Sequence, residues 1–404
     1  MIFNTWVFGA FALASLCAYW WSPARFRPAA LVLCGIVFYA YAYPPYLILI
    51  ASLAVITYGC AKAIVTFRER RKPAAARWMM IAGVAASVGV LSFYKYTHLF
   101  LTSLDSISHG KITISFPQLL IPLAISFFTF EFVHFLVDVY LGKIKEFGVR
   151  EFATFAMFYP TLVAGPIKRF QNFAPQIDHL HRRSSLFVAA NVYRVLLGLA
   201  KKSIIADSMT PLTQPLLTPG APYHAGDYWI AMLAYTAKIY FDFTGYSDIA
   251  IGMAGLLGFQ ILENFDRPYW SPNISLFWRR WHISLSSWIR DYIFIPLGGS
   301  RRSKTFTAIN LALVMAIAGL WHGAQWHFVV WGLWHGLGLA VHRTWTLSVA
   351  NTQFVQGIPP RISAGVSIAV TFAFVAFGWI LFASPTLTAG FEAVRAMFAI
   401  VVPK

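Results

Sequence analysis

The sequence predicts an all-α integral membrane protein, and three observations predict it. Of 404 residues, 58% are hydrophobic and only 12% are charged, about half the roughly 25% expected of soluble domains. The apolar residues fall in repeated runs about 20 residues long, the length that crosses a hydrocarbon core. Phe, Trp and Tyr make up 17%, which suits aromatic belts at two membrane interfaces. A soluble globule would show shorter runs with alternating polar positions.

The first run, Thr5 to Trp21, has no basic leader and ends in Trp20-Trp21 rather than in small residues. It reads as a retained span, not a cleaved signal. A second run reaches Tyr43, where Pro44-Pro45 breaks any helix. A third continues from Tyr46 to about Val65. The most basic loop follows, with Arg68, Arg70, Arg71, Lys72 and Arg77 against Glu69. A fourth run ends near Leu104, and a fifth, Pro117 to Leu141, is followed by Lys143 and Lys145. Basic and weakly charged loops alternate. That pattern predicts an extracytoplasmic N-terminus, with loops 22–28, 66–77 and 142–150 in the cytoplasm.

Beyond residue 150 the pattern is less regular. Glu151 to Ala164 is short and ends in Gly165-Pro166, as re-entrant or interfacial segments do. Leu186 to Ala206 and Tyr228 to Phe259 read as spans, and runs resume at 305–321, 326–346, 362–383 and 386–402. The expectation is about eleven transmembrane or re-entrant helices in one polytopic membrane domain, 1–404.

The net charge of +17 does not indicate nucleic acid, because Lys and Arg sit mostly in short loops where topology and anionic lipids account for them. Cys17, Cys34 and Cys60 have neither disulfide nor zinc spacing. The histidines show no HExxH pattern, so no metal is indicated. Gly245-Tyr246-Ser247-Asp248-Ile249 looks like a nucleophile elbow but lacks its final glycine and its α/β context.

Three segments carry ionisable groups where membrane insertion makes them costly. In the fifth run, His134 and Asp138 lie about 60° and 20° from Glu131 around a helix, so all three share a face. That face is either a polar wall of a functional path or a hydrogen-bonded cluster locking helices. Phe277 to Arg290 reads FWRRWHISLSSWIR. On a helix, Trp278, Trp281, Leu285 and Trp288 form one face, and Arg279, His282, Ser286 and Arg290 the other. An interfacial helix has this pattern; so does a site that holds thioester phosphates with Arg. Gly319 to Gly336 contains two Trp-His-Gly triplets, around His322 and His335. These histidines would face about 220° apart on a continuous helix and could not serve one pocket unless it broke. Gly319 and Gly323 leave room beside His322 for a substrate or a backbone, and Gln325 would share its face.

Through YPTLVAGPIKRF (159–170), YFDFTGYSDIAIGMAGLLGF (240–259), the stretch 263–301 and GLWHG (319–323), the chain resembles the bacterial membrane-bound O-acyltransferase family. It is similar first to the alginate-acetylating branch and next to the teichoic-acid D-alanylating branch, over most of residues 120–345. The resemblance implies helices around a central funnel, with a thioester donor entering from the cytoplasm and an acceptor from outside. It also implies that His322 and His282 are catalytic. Substrate-binding roles are expected for Arg279, Arg280, Trp281, Ser286, Gln325 and Asp242. Deprotonating an attacking hydroxyl suits a neutral imidazole with a pKa of about 6.5. No bound cofactor is expected: acetyl-CoA or a phosphopantetheine carrier is a substrate. The expected partners are the bilayer, a polysaccharide acceptor and an extracytoplasmic acyltransferase or acceptor protein. D-alanyl transfer and, from another class, a proton-coupled transporter using Glu131, Asp138 and Asp242 are the alternatives.

Overall fold

The computed structural model describes residues 3–41, 43–112, 114–117, 119–179, 184–218, 222–349 and 359–399, and among them all regular structure is helical. Residues 400–402 of the last expected run lie outside the described residues. The chain forms two compact units, one running to Leu199 with Tyr246–Leu262 added, the other comprising Ala200–Gly245 and the chain from Glu263 onward.

The first unit holds α1 (Trp6–Trp21), α2 (Arg27–Ala40), α3 (Pro45–Glu69), α4 (Pro73–Ile107), α5 (Ile125–Tyr140), α6 (Val149–Ala156) and α7 (Ser185–Leu199). As the Pro-Pro pair requires, α2 stops before Pro44 and α3 starts at Pro45. The basic loop expected over 66–77 shrinks to three residues. Arg71 turns left-handed (φ 55°), Lys72 N–H donates back to Phe67 O (2.8 Å), and Pro73 opens α4. This is the Schellman way of ending a helix, and Pro suits the first position of the next. The expected fifth run is helical only from Ile125, because Pro122 and a left-handed Ala124 (φ 58°) precede it. Phe38, Phe128, Phe132, Phe135, Phe155 and Phe173 build the core.

Alongside this phenylalanine core runs a polar seam. Glu131 takes the buried Lys168 ammonium, and His134 Nε2 accepts from Phe170 N–H (3.1 Å). Asp138 accepts from Gln171 (2.9 Å) and Lys143 (3.1 Å). One face of α5 therefore fastens residues 168–171, each charge meeting an opposite charge or a donor, which is the condition for burying it. The helix-locking reading of these three residues describes what they do here.

α8 (Ala225–Leu256) contributes to both units. The second unit continues with α9 (Ile274–Arg280), α10 (Ile283–Ile289), α11 (Lys304–His322), α12 (Trp326–Ser348), α13 (Pro360–Ala383) and α14 (Leu387–Met397). The amphipathic stretch 277–290 is not one helix. His282 takes a left-handed backbone (φ 45°, ψ 55°) and divides it into α9 and α10, so the two faces drawn on a continuous wheel do not exist. The histidine run is likewise divided. α11 ends at His322, and the extended residues Gly323 (φ −160°) and Gln325 (φ −148°) lead into α12.

α3, α4, α11 and α13 are long and apolar enough to cross a membrane. Among the described residues, length and composition together support these four of the expected eleven; α1 is apolar but only 16 residues long.

Candidate active site

Glycines close the α11–α12 hairpin. A Cβ on Gly319 would stand 2.0 Å from Phe328 O, and one on Gly332 2.1 Å from Met315 O. On Gly336 it would meet Ala312 Cα at 2.7 Å. Small residues at four-residue spacing let membrane helices approach this closely. Gly323 serves the same end: its Cβ would lie 2.1 Å from Phe328 Cε2. The glycines flanking His322 thus admit the returning helix rather than a substrate.

At the end of α11, the His322 ring packs edge-on against Trp331 (centroids 5.2 Å, 89°) and Phe382 (5.0 Å, 76°) and beside Trp321 (4.6 Å). Edge contacts of this kind contribute about 0.5–1.5 kcal/mol each beyond area burial, so several rings set the orientation of this one.

The buried His282 also reaches Trp321 (6.0 Å) and packs on Phe243 (4.6 Å). Its Nδ1 lies 3.2 Å from Asn264 Oδ1, which also accepts Ser284 N–H (3.1 Å) and Ser284 Oγ–H (2.9 Å). A backbone N–H can only donate, so the atom it meets is the amide oxygen, and His282 Nδ1 must carry the proton. That leaves Nε2 as a buried acceptor with no hydrogen-bond partner among the described residues. A free basic nitrogen presented inside the protein is suited to taking a proton.

A cavity of about 770 Å³ runs along α11, lined on that helix by Thr307, Leu311, Val314, Met315, Ala318 and His322. Fifteen residues at about 1.5 Å each give a length of roughly 22 Å. His322 marks one end. Around the start of α11 the lining becomes basic, with Arg290 and, from the antiparallel end of α12, His342 and Arg343; Arg279, Ser286 and Trp278 also line it.

Of the residues singled out in the sequence, the cavity brings together His322, Arg279 and Ser286, the last donating to Trp281 O (3.0 Å). Trp281 stacks in an aromatic cluster with Phe277 and Trp379 and does not line it. Arg280 points to a separate pocket, 3.8 Å from Asp266. Asp242 pairs with Lys202 (2.8 Å). Gln325 cannot share a helical face with His322 because the helix stops between them; its Oε1 meets His327 Nε2 (2.7 Å), whose Nδ1 faces Leu381 O (2.9 Å).

Sequence reasoning gave no role to Asn264, which lies within the 263–301 stretch, or to His342 and Arg343. His335 was set apart from His322 by helix geometry, yet the hairpin turns both onto Trp331, at 5.2 and 4.9 Å. His335 does not line the cavity. It is fully buried among Phe277, Trp278, Trp331, Phe374 and Trp379, with no hydrogen bond at either nitrogen among the described residues.

Among the described residues no cluster of His, Cys, Asp or Glu could hold a metal ion. A helical membrane chain with a long cavity ending at a histidine is an arrangement suited to group transfer inside a bilayer. The pattern of MBOAT, the membrane-bound O-acyltransferase family, matches residues 93–384. The probable alginate O-acetylase AlgI of Pseudomonas aeruginosa is 38% identical, over 99% of this chain and 75% of its own length. The peptidoglycan O-acetyltransferase of Helicobacter pylori is 33% identical (91% and 73%), and the teichoic acid D-alanyltransferase of Streptococcus thermophilus 31% identical (71% and 74%). The chain belongs to the membrane-bound O-acyltransferase family. It is a multi-pass membrane enzyme, an O-acyltransferase, and the transporter alternative falls away.

Proposed function

We propose that this enzyme moves an acetyl group from a thioester donor to a hydroxyl of a cell-envelope polysaccharide, directly or through an extracytoplasmic partner protein, with His322 as general base. The observation that carries this reading is the cavity with His322 at one end and Arg290, His342 and Arg343 around the other. A donor such as acetyl-CoA or a phosphopantetheine carrier is a phosphate joined by a long, thin arm to a thioester. Guanidinium groups hold the phosphate, and the arm then lies along α11 with its carbonyl at His322. Two relatives are named for acetylating polysaccharides, alginate and peptidoglycan, which favours acetyl as the group. D-alanyl transfer is the second reading, favoured by the relative named for it.

In the reaction the acceptor hydroxyl attacks the thioester carbonyl as its proton passes to imidazole. The C–O bond forms, the tetrahedral intermediate collapses, the C–S bond breaks, and the proton leaves with the thiolate. His282, with Nδ1 committed to Asn264, offers Nε2 as a second proton acceptor or as an orienting group for the hydroxyl.

In this reading the enzyme acts as one domain in the bacterial cytoplasmic membrane, since the family match draws on both compact units. The basic mouth faces the cytoplasm, as Arg301, Arg302 and Lys304 at the start of α11 favour. The test uses purified protein with radiolabelled acetyl-CoA and a soluble glycan acceptor. His322→Ala should lower transfer by at least ~100-fold, the scale of a lost general base, with an unchanged elution profile in detergent. Activity within about threefold of wild type would remove His322 from this role.

A further inference from the structure

The adjacent arginines of WRRWH serve different places. Arg279 lines the cavity that ends at His322, whereas Arg280 turns into a separate pocket of about 360 Å³ with Asp266, Arg267 and Trp270. A backbone clip builds that pocket: Asp266 N–H donates to Arg280 O (3.0 Å), and Ile283 N–H to Asn264 O (2.9 Å). The clipped segments contain two left-handed non-glycine residues, His282 (φ 45°) and Arg267 (φ 44°, ψ 54°). Such residues persist where the surroundings over-determine them, and they mark functional positions.

For His282 the strain turns its ring inward to Trp321 and Asn264. Arg267 takes the same left-handed backbone immediately before Pro268. Its effect is to set a second guanidinium in the Arg280 pocket, while the turn from Pro268 to Trp270 adds an indole. Arg267 makes no ion pair among the described residues, and the nearest carboxylate to Arg280, that of Asp266, is 3.8 Å away and mostly exposed. Two cations converge on one pocket against one loosely held anion. A bound anion would balance them. Trp270 is 70% exposed. In a chain that crosses a bilayer, an exposed indole beside arginines is the composition of the headgroup level, where Trp sits between water and hydrocarbon and Arg meets phosphate.

We propose that Arg267, Arg280 and Trp270 form a binding site for the phosphate of an anionic membrane lipid, separate from the acyl-transfer cavity. The two guanidiniums hold the phosphate oxygens through charge-assisted hydrogen bonds, and the indole covers the glycerol and the first methylenes of the chain. Asp266 orients Arg280 and limits the site to one anion. The proposal rests on the chain being a membrane protein and not on the acyl group or the base assigned above.

The experiment compares the full chain in nanodiscs of phosphatidylcholine with and without phosphatidylglycerol, reading bound lipid by native mass spectrometry and the thermal midpoint. Wild type should retain phosphatidylglycerol and melt several degrees higher in its presence, since a ligand of the folded state raises the midpoint. The R267Q/R280Q double variant should lose about tenfold or more of that lipid and the whole midpoint rise. Arg279→Gln serves as the opposite control, losing acyl transfer while keeping the lipid. Arg267→Gly is the second variant, because glycine accepts the left-handed backbone: it should fold at least as well as wild type without lipid and still bind less phosphatidylglycerol. Equal lipid binding by wild type and these arginine variants would overturn the site. A midpoint rise reproduced by millimolar inorganic phosphate in phosphatidylcholine alone would overturn the lipid as its source and leave a soluble phosphate compound.

Discussion

At the scale of single residues, three histidines share two indoles and have three different surroundings. His322 opens on the cavity, His282 is tied through Nδ1 to Asn264, and His335 is sealed in an aromatic cage. The cage bears on the chemistry, since Trp331 packs against both His322 and His335. His335→Ala would empty a fully buried site and loosen Trp331, at a cost of about 2–5 kcal/mol for a large-to-small core change. His335→Phe keeps a flat ring and deletes two nitrogens that make no hydrogen bond among the described residues; the slightly larger ring in a packed site costs about 1–3 kcal/mol. The expected outcome is an alanine variant of low stability and activity and a phenylalanine variant retaining more than about a tenth of wild-type transfer, roughly within 1.4 kcal/mol of its barrier. One transfer assay with both variants and a melting curve for each decides it. A phenylalanine variant as inactive as His322→Ala would make the His335 imidazole a participant.

Among the elements, the α11–α12 hairpin decides the site. Its interface is set by backbone contact at Gly319, Gly332 and Gly336, where helices meet with almost no side chain between them. Gly332→Val would drive a side chain into Met315 O and splay the pair, costing about 1–3 kcal/mol as overpacking does. Since His322 is the last residue of α11, transfer activity should fall with the melting midpoint. Gly89, on α4 with open space at its Cβ position, is the control, and Gly89→Ala should leave activity unchanged and the midpoint no lower, since alanine is the better helix former. If Gly332→Val melts and reacts like wild type, the hairpin is not held at this point. The α5 seam shows the same dependence on partners. Glu131, His134 and Asp138 share a face by helical period alone, but residues 168–171, 33 to 37 positions away in sequence, decide that the face locks a segment.

At the scale of the whole molecule, the lysines and arginines give the membrane a direction to impose. Arg68, Arg70, Arg71 and Lys72 stand at the turn between two helices long enough to cross, α3 and α4, and such a cluster stays on the cytoplasmic side. With Cys17, Cys34 and Cys60 replaced, a single cysteine at Arg71 or Lys145 should be silent to an impermeant maleimide in intact cells and react once they are permeabilised. Labelling of either position from outside would invert the topology. Charge also separates the cavity's two ends, since Arg290, His342 and Arg343 gather around the start of α11 while His322 lies at its finish.

What the sequence determined by itself is the solvent, the fold class and the family. Apolar length, loop charge and the order of short motifs are local properties, and they survive any detail of packing. Its choice of His322 came from a motif, and the cavity that ends there is a separate, spatial fact. Only the tertiary structure decided which residues join it. Helical wheels assume an unbroken helix, and this chain breaks at His282 and again after His322. Each break redirects the residues beyond it. Gln325 leaves His322 for His327, and His335 comes round to the same tryptophan. The left-handed turn at His282 rests on the Asn264 side chain and the Ile283–Asn264 backbone bond, contacts that span 18 or more residues and that no window of local sequence contains.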